Sequence, residues 1–341
     1  MNYEARFGGI GRLYGNSGLS LLRSARIAVV GIGGVGSWAA EALARSGVGT
    51  IILMDMDDLC ITNTNRQIHA LASTIGQSKT ETMATRIREI NPEAEVIPIS
   101  NFYTASNAEK LLSAKPDVII DAIDSLIPKA HLIASCYRSK QPLVTCGGAG
   151  GRINPARIEI DDLSRTRGDP LLSSLRYRLK KDYALPLGEK ARKLKIPCVF
   201  SQETPVYPTC DGTTSCTRDP EFQGKMGCDA GFGSVTHITG TFGFFAASAA
   251  IQMLLNRKKH HRHHEQTPAF PAGGRPPSRL DPVQHPGKRH CRHQRPQCGN
   301  SPRTQGKLLR RPPLPCTGNA LLGIPAPARP DLENGPTRHH G

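Results

Sequence analysis

The residues best suited to chemistry are a set of glycines that follows a short apolar run. Residues 27–30 are apolar, Gly31, Gly33, Gly34 and Gly36 come next, and residues 38–45 have a helical pattern. A strand, a tight turn and a helix start in this order let backbone N–H groups approach a phosphate, whose negative charge the helix N-terminus favours. The segment therefore predicts a nucleotide site, although the glycines alone do not separate NAD, FAD and ATP.

A second apolar run, residues 51–54, ends in Asp55, which lies 24 residues after Gly31. This is close to the spacing at which an acidic side chain meets a ribose hydroxyl.

Polar residues further along the chain favour a triphosphate over a dinucleotide. An arginine can clamp phosphate oxygens, a lysine adds a point charge, and a carboxylate can hold Mg²⁺ where charge develops on the leaving pyrophosphate. Any one of these residues alone would more often form a surface ion pair. Together they indicate an ATP site, and they are Asp57, Asn63, Arg66, Lys79 and Asp124.

The elements that would position these residues alternate between strand and helix. Apolar runs predict strands at 27–30, 51–54, 96–100, 117–122 and 142–145, and helical patterns at 76–90, 105–114 and 128–139 come between them. This alternation predicts an α/β, Rossmann-like, doubly wound and mostly parallel sheet, with ligands at the carboxyl ends of the strands. After Gly151 a strand at 157–160 and a helix at 169–181 predict an antiparallel and helical extension.

The charge is concentrated at the end of the chain. Residues 257–341 hold 16 Lys or Arg and 4 Asp or Glu, which is +12 of the net +16, and 15 of the 27 prolines. The sequence therefore predicts a domain over 1–255 and a disordered basic tail, rich in Arg, Pro and His, over 256–341. The abrupt change of composition is what an aberrant or frameshifted C-terminus would produce.

Ten cysteines at irregular spacing, without a basic–apolar signal at the N-terminus, indicate free thiols in a reducing cytoplasm. No Cys-x-x-Cys pair occurs, so we expect no zinc site.

Two further segments allow two interpretations each. Residues 176–195 combine Lys and Arg with Tyr177 and Tyr183, which suits either a nucleic-acid backbone or a solvated crossover. The uncharged run 238–255 is at the short limit for a membrane span, and its small and polar residues favour a packed helix instead.

Several motifs together resemble the ubiquitin-activating-enzyme-like adenylyltransferases, which include the bacterial ThiF, MoeB and HesA activators. The resemblance covers about residues 5–255, and it is closer still to the branch that dehydrates threonylcarbamoyladenosine in tRNA. The motifs are Arg6-Phe7-Gly8-Gly9, Gly31-Ile32-Gly33-Gly34-Val35-Gly36, Asn63-Thr64-Asn65-Arg66-Gln67, Asp121-Ala122-Ile123-Asp124-Ser125, Thr145-Cys146-Gly147-Gly148-Ala149-Gly150-Gly151 and Gly231-Phe232-Gly233.

The resemblance implies an ATP-dependent cyclisation of threonylcarbamoyladenosine beside the tRNA anticodon, through an acyl adenylate of the threonyl carboxylate. It implies that Asp55 binds ribose, that Arg66 and Lys79 bind phosphates, that Asn63 positions the nucleotide, and that Asp124 holds Mg²⁺.

It also implies a homodimer in which an N-terminal arginine, Arg12 or Arg6, crosses to the partner's site. Cys228 would be either a sulfur-accepting thiol, with a cysteine desulfurase or another sulfur acceptor as partner, or a plain buried cysteine.

Three other functions stay open at this point. The nearest is an adenylating activator of a ubiquitin-like sulfur carrier in the molybdopterin or thiamine pathway. An NAD-dependent oxidoreductase would leave Arg66, Lys79 and Asp124 unexplained. A non-enzymatic RNA-binding protein would have no use for the intact nucleotide set.

Overall fold

The computed structural model describes residues 2–188, 192–217 and 232–265, with side chains as far as residue 256. The strands are β1 (Arg26–Val30), β2 (Thr50–Met54), β3 (Glu95–Ile99), β4 (Val118–Asp121), β5 (Leu143–Cys146), β6 (Ile158–Asp162), β7 (Pro197–Ser201), β8 (Tyr207–Pro208) and β9 (Thr214–Ser215). The helices are α1 (Tyr3–Ser24), α2 (Gly34–Arg45), α3 (Lys79–Ile90), α4 (Ala108–Ser113), α5 (Leu126–Ser139), α6 (Pro170–Tyr183) and α7 (Thr236–Glu265).

Seven strands form one sheet in the order β3-β2-β1-β4-β5-β7-β6. All neighbours are parallel except β6, which pairs with β7 in the antiparallel sense. The predicted α/β fold, with its mostly parallel sheet and antiparallel extension, is confirmed. The carboxyl ends of β1, β2, β4 and β5 lie along one edge, which we call the carboxyl edge.

Both faces of the sheet are covered, as expected for parallel strands made of continuous apolar runs. In β1, Ile27 and Val29 face a core formed with α2, α3 and α7, whereas Ala28 and Val30 face a core formed with α4, α5 and α6. This alternation, with a period of two, buries residues 27–30 of the strand and fixes its register against β2 and β4.

Helix α1 is kinked at Gly15, whose φ of 77° lies in the left-handed region. It packs against the amino edge of the sheet, opposite the carboxyl edge. The Tyr3 hydroxyl donates to the carbonyl of Gly47, which precedes β2, and Arg6 donates to the carbonyl of Ile90 at the end of α3.

Helix α7 contains the uncharged run and lies across α2. A Cβ at Gly243 would be only 2.7 Å from Trp38 Cβ, so this glycine allows the two helices to approach closely. By length and composition Thr236–Asn256 could cross a membrane, and 56% of its most apolar window is buried within the protein. The run forms a packed helix, as predicted.

The structure extends α7 to Glu265, beyond residue 255 where the predicted helical pattern ends. No proline or glycine occurs in residues 256–265 to end the helix, and the predicted domain boundary at residue 255 stays a prediction. The predicted tail from residue 266 onward lies outside the described residues, and its disorder stays a prediction.

Candidate active site

The first glycine turn joins β1 to α2 at the carboxyl edge. Gly31 has a φ of +88°, its N–H donates to the carbonyl of Met54, and a Cβ here would lie 2.9 Å from the Ala122 carbonyl oxygen. The turn therefore lies directly against the residues that follow β4. A Cβ at Gly33 would meet no heavy atom within 4 Å, so the backbone is open to an approaching group at this position.

The other two predicted glycines permit close packing. A Cβ at Gly36 would lie 1.8 Å from the Gly31 carbonyl oxygen, so the start of α2 can pack on the turn only without a side chain. A Cβ at Gly34 would lie 3.0 Å from Thr239 Cγ2 and 3.5 Å from Arg66 Cδ. Gly34 thus brings the Arg66 side chain to the N-terminus of α2.

Asp55, predicted to bind ribose, is held by the glycine turn itself. Its buried carboxylate accepts the Ile32 N–H at 2.6 Å and the Asp57 N–H at 2.9 Å. Each carboxylate oxygen keeps accepting capacity, so Asp55 can still accept hydrogen bonds from the hydroxyls of a ligand.

Lys79 begins α3, and its side chain is 7% exposed. Its ammonium lies 2.6 Å from Asp57 Oδ2, and its backbone N–H donates to the Asp57 carbonyl. Asp57, predicted to bind the nucleotide, holds Lys79 in this structure, two residues from the Asp55 carboxylate.

Arg66 lies on the loop between β2 and α3. Its guanidinium donates to the Thr62 carbonyl at 2.8 Å, and its own carbonyl accepts the indole N–H of Trp38 and the hydroxyl of Thr239. Asn63 is buried, and its side-chain oxygen accepts the Cys60 N–H within the same loop. The contacts of Asn63 shape the loop that carries Arg66.

Asp124 is exposed three residues after β4, in the segment whose Ala122 and Ile123 lie against Gly31. Below it lies a fully buried ion pair, in which Lys129 Nζ is 2.9 Å from Asp121 Oδ2. Asp121 also accepts the Thr145 hydroxyl and the Ile123 N–H, and Lys129 donates to the Ile123 carbonyl. This pair fixes the segment 121–124 and thereby the position of Asp124.

Sequence reasoning did not assign Lys129. The available signal was a lysine on the apolar face of a predicted helix, in register with Leu132, Ile133 and Cys136. A lysine at such a position needs a buried partner.

The second glycine turn, residues 147–151 after β5, also lies at the carboxyl edge, but it is crowded. The Gly148 N–H donates to Asp169 Oδ2 at 2.8 Å, and a Cβ at Gly150 would lie 2.7 Å from Phe232 Cβ. Gly151 has a φ of +69°, and a Cβ there would lie 2.7 Å from the Val206 carbonyl oxygen. The space beside these glycines is filled by other atoms of the protein.

Buried Arg152 follows this turn, and its Nη2 lies 3.9 Å from Asp169 Oδ2 and donates to the Gly168 carbonyl. Nε and Nη1 have no hydrogen-bond partner among the described residues. Burial lowers the pKa of Arg152, and the carboxylates of Asp169 and Glu203 oppose that shift.

Among the predicted site residues that the structure describes, Arg12 is not brought to this edge. Arg12 is exposed on α1, which packs at the amino edge, so within one chain it does not join the site. Its role across a dimer interface stays a prediction. Cys228 lies outside the described residues, and its role also stays a prediction.

Besides the Asp57 carboxylate that pairs with Lys79, the carboxyl edge thus combines an open glycine, a buried carboxylate, two cations and an exposed carboxylate, which are Gly33, Asp55, Arg66, Lys79 and Asp124. Cations and turn N–H groups can bind phosphates. The exposed carboxylate of Asp124 suits Mg²⁺, which is commonly held by one or two carboxylates together with substrate phosphates. Such an arrangement can hold a nucleoside triphosphate.

Comparisons with known proteins agree with this class of site. The chain belongs to the ThiF family, whose model matches residues 9–272. Among the most similar relatives is the tRNA threonylcarbamoyladenosine dehydratase of Escherichia coli K12, which is 53% identical over 254 residues, covering 74% of this chain and 94% of the relative.

The solved structure of the E. coli dehydratase in complex with ATP has a TM-score of 0.67 and 49% identity, over 75% of this chain and 96% of that one. The molybdopterin-synthase adenylyltransferase of E. coli K12 is more distant, at 32% identity over 38% of this chain and 51% of the relative.

Proposed function

We propose that this protein is an ATP-dependent tRNA-modifying enzyme that dehydrates threonylcarbamoyladenosine beside the tRNA anticodon. The observation that carries the proposal is the buried Asp55 carboxylate bonded to the open glycine turn, with Arg66, Lys79 and Asp124 at the same edge. The 53% identity to a dehydratase over nearly its whole length supports this substrate over a sulfur-carrier protein.

The first chemical step activates a poor electrophile. The threonyl carboxylate attacks the α-phosphorus of ATP, its oxygen–phosphorus bond forms, and pyrophosphate leaves with the bonding electrons. Arg66 and Lys79 would stabilise the charge that develops on the departing phosphates. Asp124 would hold Mg²⁺, which supplies further charge neutralisation on the phosphate oxygens.

The second step closes a ring within the substrate. The neighbouring carbamoyl group attacks the activated carbonyl, loses a proton, and displaces AMP, which carries away the former carboxylate oxygen. The nucleoside thus loses one water in total. Because the nucleophile belongs to the substrate, the enzyme's part is orientation, which can supply a large effective molarity.

Further parts of the proposal rest on the family resemblance. We infer a homodimer in which Arg12 of each chain reaches the partner's nucleotide, and a catalytic domain over residues 1–255. Cys228 would be a sulfur-accepting thiol if a cysteine desulfurase is a partner, and we expect a cytoplasmic location because tRNA is found there.

The test is pyrophosphate release from ATP with tRNA that bears threonylcarbamoyladenosine, followed by mass analysis of the nucleoside. Unmodified tRNA and a carrier protein ending in Gly-Gly are the comparison substrates. We expect release only with modified tRNA, with one water lost from the nucleoside. Release that depends on the carrier protein would instead establish a sulfur-carrier activator.

Asp124→Ala should abolish pyrophosphate release and leave the unfolding temperature unchanged, because Asp124 is exposed and the buried pair beneath it is kept. Glu89→Ala, which removes an exposed carboxylate at the amino-edge end of α3, is the matched control and should retain activity. Normal turnover by Asp124→Ala would refute its assigned role.

A further inference from the structure

A concave cleft separates α6 from the edge strand β6, on the flank of the sheet that the nucleotide site does not use. Its volume is about 800 Å³. Its lining includes Glu159, Phe200 and Gln202, together with four cationic side chains and a tyrosine, which are Arg165, Arg167, Arg176, Lys180 and Tyr177. We call this feature the α6 cleft.

The α6 cleft has an excess of uncompensated positive charge. Arg165, Arg167 and Lys180 are exposed, and none of them forms an ion pair with a carboxylate among the residues that the structure describes. The two acidic residues of the cleft have other contacts.

Asp161 lies 3.8 Å from the ammonium of Lys193, and Glu159 accepts a hydrogen bond from the side-chain amide of Gln202 at 2.5 Å. The three exposed cations therefore remain available to an anionic ligand.

The aromatic residue of the cleft is placed beside these cations. Tyr177 is 67% exposed, and the Lys181 ammonium lies 5.7 Å from its ring centroid. Arg176, one residue earlier, is half-buried and donates to the Thr166 hydroxyl, which holds this part of α6 against the loop that carries Arg167. An exposed ring among cations is the arrangement that stacks an unpaired base while phosphates are neutralised.

A short segment of chain connects the lining of the cleft to the carboxyl edge. Arg167 is followed by Gly168 and Asp169, and Asp169 accepts the N–H of Gly148 in the second glycine turn. A polymer whose reacting nucleoside enters at the carboxyl edge can therefore continue along α6.

We propose that the α6 cleft binds the RNA strand next to the modified nucleoside, with backbone phosphates on Arg165, Arg167 and Lys180 and an unstacked base on Tyr177. This inference rests on the proposed function and extends it, because it assigns the surface that holds the tRNA. A free nucleotide would need only the site at the glycine turn, whereas a row of cations beside an exposed ring fits a single-stranded polyanion.

The test uses the full chain and labelled tRNA bearing threonylcarbamoyladenosine, with the dissociation constant measured by fluorescence anisotropy at several salt concentrations. Arg167→Glu/Lys180→Glu should weaken binding at least about tenfold at moderate salt. Two lost phosphate contacts should reduce the slope of log affinity against log salt by about 2.

The matched control is Arg88→Glu/Lys110→Glu, which reverses the same number of exposed charges on α3 and α4. These helices lie toward the β3 end of the strand order, whereas the α6 cleft lies at the β6 end. It should bind tRNA within about twofold of the parent, because long-range electrostatics alone are largely screened at this ionic strength. ATP affinity and unfolding temperature should be unchanged in both double variants.

Tyr177 separates stacking from general charge. Tyr177→Phe should retain the affinity, whereas Tyr177→Ala should lose about fivefold or more, since a stacked base contributes about 1–3 kcal/mol. In turnover, the cleft variants should raise KM for tRNA and leave kcat within about twofold.

Parent-like tRNA binding by Arg167→Glu/Lys180→Glu, or an equal loss in the control, would overturn the proposal. Failure of the proposed function has a different signature. It would appear as a parent protein that binds tRNA through this cleft and leaves its nucleoside chemically unchanged.

Discussion

The two glycine turns lie at the same edge of the sheet and look alike in sequence, yet the structure uses them differently. The turn after β1 leaves Gly33 open and donates its Ile32 N–H to the Asp55 carboxylate. The turn after β5 is filled by Asp169, Val206 and Phe232. The first turn is available to a ligand, and the second joins the sheet to the segments that cover it.

The buried ion pairs near the two turns differ in the same way. Asp121 and Lys129 bind each other, the Thr145 hydroxyl and the backbone of Ile123, whereas two nitrogens of Arg152 lack partners among the described residues. A glycine-rich sequence therefore indicates close approach to something, and only the neighbouring groups decide whether that is ligand or protein.

The largest expected effect on stability concerns the ion pair between Asp121 and Lys129. Lys129→Met leaves the Asp121 carboxylate buried without its cation, which should lower the free energy of unfolding by about 3–5 kcal/mol. Urea denaturation without nucleotide measures this. Lys129→Met/Asp121→Asn removes the uncompensated charge and should recover much of the loss. Equal destabilisation of single and double variants would show that charge is not the cause.

The next effect tests the packed turn. Gly150→Ala places a Cβ 2.7 Å from Phe232 Cβ. The resulting overpacking should lower the free energy of unfolding by about 1–3 kcal/mol. The ATP affinity of the folded variant should stay within about twofold, as titration calorimetry can show. A loss of ATP affinity with unchanged stability would mean that this turn also binds the nucleotide.

The open turn should show the opposite pattern. Gly33 is the N-cap of α2 and its Cβ would meet no protein atom, so Gly33→Ala should lower the free energy of unfolding only by the difference between glycine and alanine at an N-cap, about 1 kcal/mol. The methyl group would occupy space where we expect a phosphate, and a tenfold weaker ATP affinity would correspond to about 1.4 kcal/mol. Undiminished ATP affinity would place the phosphates elsewhere.

The last prediction is that the thiol of Cys146, the residue before the packed turn, does not react with an alkylating reagent in the native protein. Burial raises the pKa of its thiol to about 12, with Lys129 acting in the opposite direction and Asp121 adding to the rise. At pH 8 the thiolate is scarce, so iodoacetamide should leave Cys146 unmodified in the native protein and label it in urea. Exposed Cys210 is the internal control, and comparable native labelling of both would contradict tight packing.

Local patterns were sufficient to predict the parallel sheet. Each of the first five strands is an apolar run followed by a polar or glycine-rich turn, and these local signals do not depend on distant residues. Strand β7 was missed because Pro197–Ser201 is short, follows a basic segment, and enters the sheet between β5 and β6 rather than beside a sequence neighbour.

The site was predictable to the extent that its residues follow strand ends. Asp55 and Asp124 do so, and the structure places both at the carboxyl edge. The partners of Asn63, Asp57 and Lys129 depend on how distant segments pack, so sequence alone did not show that Asn63 caps a loop turn or that Asp57 holds Lys79. Arg12 lies at the other edge because α1 packs against the loops that precede the strands.

The bond between Trp38 and Arg66 has a practical consequence. The chain contains a single tryptophan, and its indole N–H donates to the carbonyl of the arginine that we expect to bind phosphate. Its ring also lies edge-on to Phe244 of α7, at a centroid distance of 5.8 Å. Intrinsic emission from this one fluorophore therefore reports on the Arg66 loop, and stopped-flow mixing can follow nucleotide capture in the unlabelled protein.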